Sequence, residues 1–168
     1  MKALAAVSKN FVIGNNGKLP WTSKEDLQFF KETTWNGRIV VGRTTYKTLP
    51  KLKNRVVYIL TRDENKLGGG YSMVDGINES FGIFYCKHPN NIPPSDYVFG
   101  GGLFLCGGAQ VYKEFLKDCE GIYLTEFDFD CKGDTKFPFT KEEIIEMFPK
   151  QTLIKTINQG KITYYEKI

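Results

Sequence analysis

Apolar positions in this chain come in short, β-branched runs that alternate with stretches of helical spacing. Residues 3–8 form the first run. "RIVVG" (Arg38–Gly42) reads as a strand that passes into a short helix, "RTTYKTL". "RVVYILT" (55–61), "LFLCGG" (103–108) and "GIYLTEF" (Gly121–Phe127) supply three more strands, and "AQVYKEFL" another helix. Such alternation predicts βαβ units and a mostly parallel sheet. The C-terminal end differs: "NQG" between "TLIKTI" and "KITYYEKI" predicts an antiparallel hairpin at the sheet edge. Over 63–102 the pattern breaks into glycine-rich pieces ("KLGGGYS", "VDGINESFG", "YVFGGG") and a turn cluster, "NNIPPS". Val74 can close a strand there and "GIFYCK" can form another, with no helix predicted. No repeat or linker interrupts the pattern, so a single domain over 1–168 is expected.

The segment 23–34 has helical spacing with one anomaly. Leu27, Phe29 and Phe30 define an apolar arc bordered by Thr33 and Thr34, and Lys24, Glu25, Gln28, Lys31 and Glu32 take the other side. Asp26 falls inside the apolar arc. One explanation is a cap: Ser23 is a plausible N-cap, and an acid three residues later can close a variant capping box. The other is chemical. A desolvated carboxylate is costly unless paired, and an amidine-like ligand edge would satisfy both of its oxygens. Burial would raise its pKa and the helix start would lower it, with burial expected to dominate.

Composition narrows the choice. With 41% hydrophobic and 25% charged residues the chain has globular rather than disordered character. No apolar run reaches membrane-span length, and "MKALAAVSKNFVIG" is too short in its apolar part for a signal peptide. The net charge of +4, without a basic stripe, suits a small anionic ligand better than nucleic acid. The four cysteines have no metal-ligand spacing, so reduced thiols, no metal and a cytoplasmic setting are expected. The single histidine, His88, sits in the loop-like "CKHPNNIPP", which leaves acid–base chemistry to carboxylates, Lys, Tyr or water.

Two glycine-punctuated strand ends are further candidates. "VVGRTTY" and "LCGGAQVY" place Gly42, Arg43, Thr44 and Thr45, and Gly107, Gly108 and Ala109, where a strand enters a helix. Small residues there let a backbone approach phosphate, although a tight turn needs glycine in any case. Neither is a dinucleotide or P-loop fingerprint. Arg43, Thr61 and Arg62 follow strand ends, where ligands bind in open parallel sheets; they could hold a phosphomonoester or simply be solvated. "IGNNGKLPW" is either a connection or a mobile lid over the site.

Together, "VIGNNGKLPW", "EDLQFFK", "VVGRTTYKTLP", "RVVYILTR", "LCGGAQVYKEFL", "IYLTEF" and "GDTKFP" resemble dihydrofolate reductase, in that family's order and near its spacing, over most of the chain outside 63–102. The resemblance implies a central, mostly parallel eight-stranded sheet with the antiparallel C-terminal hairpin and helices on both faces. It also implies NADPH-dependent reduction of 7,8-dihydrofolate to tetrahydrofolate, by hydride transfer to pterin C6 and protonation at N5, in support of one-carbon metabolism. Asp26 then falls on the family's acid, which holds the pterin's amino group and ring nitrogen. Thr125 matches the hydroxyl that supports it, and Trp21 the tryptophan that helps hold a water. Leu4, Ala5 and Cys106 would line the pterin site and offer carbonyls. Leu27, Phe30, Leu49 and Leu52 would pack the pterin and benzoyl rings, and Arg55 would pair with the glutamate tail.

For the cofactor, the resemblance implies nicotinamide contacts from Ala6 and Ile13, with Leu19 in the loop beside the ring. Arg43, Thr61 and Arg62, with Leu60, match the region of the 2′-phosphate, which favours NADPH over NADH. Thr44, Thr45, Gly107, Gly108, Ala109 and Gln110 match the pyrophosphate turns, and Gly42, Val111 and Thr135 add to the cofactor side. Gly107-Gly108 matches the family's cis peptide, and Tyr112 lies where the two ligands meet. Binding of dihydrofolate and of antifolates, and a monomer, are expected. Two departures stand out: 74–105 is longer than in compact bacterial members, and Cys106 replaces a frequent branched aliphatic. A pyrimidine reductase of riboflavin synthesis is a competing expectation, which the Asp26 stretch opposes; a non-catalytic module is another.

Overall fold

The computed structural model describes residues 1–49, 52–74, 79–93 and 101–168. The glycine-rich and turn-like stretches expected over 75–78 and 94–100 lie outside the described residues.

The β-branched runs form the strands predicted. β1 (Lys2–Val7), β3 (Arg38–Gly42), β4 (Arg55–Leu60), β7 (Leu103–Leu105) and β8 (Gly121–Phe127) are joined by parallel pairing, and β6 (Glu79–Cys86) pairs parallel to β4. β5 (Gly68–Val74), β10 (Lys150–Ile157) and β11 (Gly160–Glu166) pair antiparallel. The order is β10-β11-β8-β1-β7-β3-β4-β6-β5, while β2 (Val12–Gly14) and β9 (Thr135–Lys136) make a separate two-stranded ribbon. The sheet therefore has nine strands among the described residues, one more than expected. β5, ending at Val74, adds to the outer edge beside β6. No α-helix occurs among the described residues of 63–102, in line with the sequence.

Alternation along the central strands builds two cores. Ile39, Val41, Val57 and Ile59 face one side, where Phe30 of α1 (Lys24–Thr34) and Tyr46 of α2 (Arg43–Thr48) pack. Val40, Val56, Tyr58 and Leu105 face the other, against Val111 and Phe115 of α3 (Ala109–Phe115) and Ile144 of α4 (Lys141–Met147). Strands buried on both faces need continuous apolar runs, which "RIVVG" and "RVVYIL" are. Among the described residues no helix is long and apolar enough to cross a membrane.

The order places the site. β7 lies between β1 and β3, so the chain moves one way from β1 to β3 through α1 and the other way from β7 to β8 through α3. A crevice opens at such a reversal, beyond the carboxyl ends of the strands. The strand expected over 103–108 stops at Leu105 for a related reason. Beyond it Gly42 donates its N–H to the Gly107 carbonyl over 2.8 Å, and Gly107 takes a φ of +112°. The Gly107–Gly108 peptide is cis, as the resemblance implied.

Candidate active site

A cleft of about 1210 Å³ occupies this crevice, lined by β1, α1, α2, the two glycine turns and the start of α3. It exceeds the roughly 300–1,000 Å³ of a typical small-molecule pocket, leaving room for two ligands side by side. Every residue that the resemblance assigned to substrate or cofactor lines it; Trp21 does not.

Asp26 lies on the first turn of α1. Its N–H donates to the Ser23 hydroxyl over 3.2 Å, so half of the predicted capping box forms. The carboxylate does not return to the cap. It turns to the cleft, where Thr125 Oγ1 donates to Oδ1 over 2.7 Å. The side chain is half-buried rather than sealed in the core. Burial among apolar neighbours still raises its pKa above the usual carboxylate value, and the Thr125 hydrogen bond opposes this with a smaller effect. Leu27, expected on the apolar arc, is 54% exposed. It lines the cleft instead of the core, whereas Phe30, Leu49 and Leu52 line the cleft and also pack on the core of Ile39 and Ile59.

Trp21 packs behind the cleft, 5.2 Å from the Phe127 ring and 6.3 Å from Phe129. Its Nε1 is buried and meets no acceptor among the described residues. Across the cleft floor Tyr112 Oη donates to the Leu4 carbonyl over 2.5 Å, so that carbonyl already has one partner. Burial raises the Tyr112 phenol well above its ordinary pKa, so it stays protonated and a donor. Cys106 has its thiol pushed up by burial, so it stays a neutral thiol, and Ala5 lines the same end of the cleft.

Arg55, at the start of β4, is 5% exposed yet lines the cleft. Its Nε–H donates to the Lys53 carbonyl over 2.9 Å, and its guanidinium stands 5.4 Å from the Trp35 ring centroid. No carboxylate pairs with it among the described residues, and desolvation lowers its pKa.

The far end is built by glycines and cations. A Cβ on Gly108 would come within 2.8 Å of Thr45 Oγ1, so glycine lets the two turns meet there without displacing the Thr45 side chain. Arg43, Thr44, Thr61, Leu60 and Arg62 line this end with Gln110 and Ala109. Arg62 Nη2 lies 3.5 Å from Glu114 Oε1, and Thr61 Oγ1 accepts the Asp63 N–H over 3.1 Å. Ala6, Ile13, Leu19, Val111 and Thr135 also line the cleft.

The stretch read as either a connection or a lid forms a tight hairpin. Asn15 and Lys18 exchange backbone hydrogen bonds of 2.8 and 3.1 Å, with Asn16 and Gly17 at φ of 52° and 77°. Paired positive φ is what an Asn-Gly turn provides. Its tip is tied down by Asp134, which accepts the Asn16 N–H over 3.0 Å. His88 caps a short turn by accepting the Asn90 N–H and takes no part in the cleft.

Several lining residues were not foreseen, among them Lys31, Lys87, Glu114 and Tyr123. Lys31 was detectable, since it follows Leu27 by one helical turn. Lys87 had no local signal. It arrives through the register that sets Cys86 beside Leu60, and so places Lys87 near Thr61.

An open α/β sheet whose switch-point cleft is acidic and apolar at one end and cationic at the other suits an enzyme that holds a phosphate-bearing cofactor beside a planar ring. The family profile described as dihydrofolate reductase matches residues 1–166. A dihydrofolate reductase of Mycoplasma pneumoniae is 32% identical over 174 residues, covering 100% of this chain and 98% of that protein. One from Buchnera aphidicola is 36% identical over 137 residues, covering 80% and 76%. Among solved structures, dihydrofolate reductase from Enterococcus faecalis, complexed with NADP(H) and RAB-propyl, matches with a TM-score of 0.68 at 25% identity, over 99% of this chain and 96% of that one. The chain belongs to the dihydrofolate reductase family, and is thereby an NADP-dependent oxidoreductase.

Proposed function

We propose that this chain reduces 7,8-dihydrofolate to 5,6,7,8-tetrahydrofolate, with hydride delivered to pterin C6 and a proton to N5. The observation that carries this is the placement of Asp26: a carboxylate with raised pKa, hydrogen-bonded to Thr125, at the apolar end of a cleft large enough for two ligands.

The acid and its hydroxyl partner suit the pterin's amino group and adjacent ring nitrogen, which together offer two parallel donors. Leu27, Phe30, Leu49 and Leu52 give apolar surface for the pterin and benzoyl rings. Leu4, Ala5 and Cys106 close the pterin end. Arg55, a buried cation without a carboxylate partner among the described residues, suits the glutamate tail; an unpaired buried charge is costly until an anion reaches it. Trp21 Nε1, buried without an acceptor, supports a role in holding a water beside the acid.

The other end fits NADPH. The close turn contact at Gly108 leaves backbone exposed to a pyrophosphate, with Gly42, Thr44, Thr45 and Gln110 around it. Arg43, Thr61 and Arg62 suit the 2′-phosphate. Ala6, Ile13 and Leu19 flank the path to the pterin, where Tyr112 stands. NADPH, when bound, supplies the hydride; the protein supplies orientation and charge. Protonation at N5 puts positive charge on the pterin ring that accepts the hydride, and the Asp26 anion stabilises that charge.

The test is spectrophotometric. Purified protein with dihydrofolate and NADPH should oxidise the NADPH, and Asp26→Asn should slow turnover near neutral pH by about 100-fold or more while NADPH still binds. Unchanged turnover in Asp26→Asn refutes the role of the acid. No NADPH oxidation by the native protein at any pH refutes the substrate.

A further inference from the structure

Trp35 ends α1, is 40% exposed, and has no place in the proposed chemistry. Two cations stand over its ring: Arg55 with Cζ 5.4 Å from the centroid, and Lys31 with Nζ 5.7 Å from it. Both line the cleft. Local structure explains the meeting. Lys31 and Trp35 are one helical turn apart and so share a face of α1. Asn36, next along the chain, donates its N–H to the Asn54 carbonyl over 2.9 Å, which brings Arg55 to the same ring. Asn36 and Asn54 both take positive φ, 57° and 55°, so each segment turns sharply at the contact.

An aromatic face attracts a cation without neutralising it, whereas a carboxylate would neutralise it. Among the described residues neither Arg55 nor Lys31 is paired with an acid. The ring therefore contacts two positive groups that both line the cleft and leaves both available to anions.

We infer that Trp35 is a positioning residue: its ring sets Arg55 and Lys31 as a pair that grips the two carboxylates of an acyl-glutamate tail. This rests on dihydrofolate being the substrate. The pair selects for the tail and leaves the reacting ring alone, so it governs KM rather than kcat.

The experiment compares dihydrofolate with a dihydropterin that lacks the tail. Trp35→Leu keeps apolar bulk but loses the aromatic face; Trp35→Phe keeps a face. For Trp35→Leu the KM for dihydrofolate should rise about 3- to 20-fold, the effect of a partly exposed cation–π contact. Its kcat should stay within about twofold, and KM for the tail-less substrate should not move. Trp35→Phe should restore most of the difference. An equal rise for both substrates marks a merely structural role and overturns the inference, as does no rise for either. A native protein that reduces neither substrate instead overturns the underlying proposal of function.

Discussion

Thr125 Oγ1 donates to Asp26 Oδ1 over 2.7 Å, and this one bond joins the middle of β8 to the first turn of α1. Burial raises the pKa of the acid, and the hydroxyl restrains the rise by stabilising the anion. Replacing Thr125 by Val keeps the shape and removes the donor. The Asp26 pKa should then climb further, so the midpoint in a profile of kcat/KM against pH should move to higher pH. At neutral pH kcat/KM should drop about 10-fold, the value of a hydrogen bond to a charged group. A profile superimposable on the native one would detach Thr125 from the acid.

The same shift has a cost in stability. A native pKa above the unfolded one means the folded protein binds a proton there more readily than the unfolded chain does. Stability therefore falls as pH rises from the ordinary aspartate value through the raised native one, and above that the whole penalty is present. Asn carries no charge and can still accept from Thr125. Asp26→Asn should raise Tm at pH 7 by about 1–4 °C, and the gap should close as the pH is lowered below the ordinary carboxylate range. A thermal unfolding series across pH measures this, and a lower Tm at pH 7 would contradict it.

Asp26 was visible in the sequence because a charge inside an apolar arc breaks a local period. β3 and β4 were visible because strands buried on both faces are nearly continuous apolar runs, and the hairpin of β10 and β11 because "NQG" is a local turn signal. What was hidden depends on pairing between distant segments. Lys87 reaches the cationic end only through the β4–β6 register; the strand ending at Val74 was legible, but its place in the sheet as β5 depends on the edge that β6 offers. Leu27 follows the helical period, yet faces the cleft; periodicity marks an apolar side without saying whether protein or ligand covers it. The end of β7 at Leu105 was also illegible, since it is set by the contact between Gly42 and Gly107.

That contact yields a packing prediction. A Cβ on Gly42 would stand 3.1 Å from Val111 Cγ2, closer than ordinary van der Waals contact. Gly42→Ala should destabilise the protein by about 1–3 kcal/mol through overpacking. Val111→Ala removes the opposing methyls, so the double variant should lose less than the sum of the two single ones. Urea unfolding of the four proteins gives the coupling. Strict additivity would show that the turn gives way elsewhere.

The cationic end of the cleft gives the last prediction. Arg62 is held by Glu114 at 3.5 Å, with its side chain almost wholly in solvent. An exposed pair of this kind is worth little, so the guanidinium can leave Glu114 for a phosphate at small cost. Arg43 and Lys87 line the same end, Lys87 paired with Glu64 on the surface. Loss of a charge that meets the 2′-phosphate should weaken only the cofactor that carries it. Arg43→Ala and Arg62→Ala should each raise KM for NADPH about 10-fold, one charge-assisted contact, and leave NADH nearly unchanged. Lys87→Ala should act in the same direction, and all three effects should shrink at high ionic strength, because the groups are exposed. Steady-state kinetics with both cofactors at two salt concentrations decides it; equal losses for NADPH and NADH would place the phosphate at another part of the cleft.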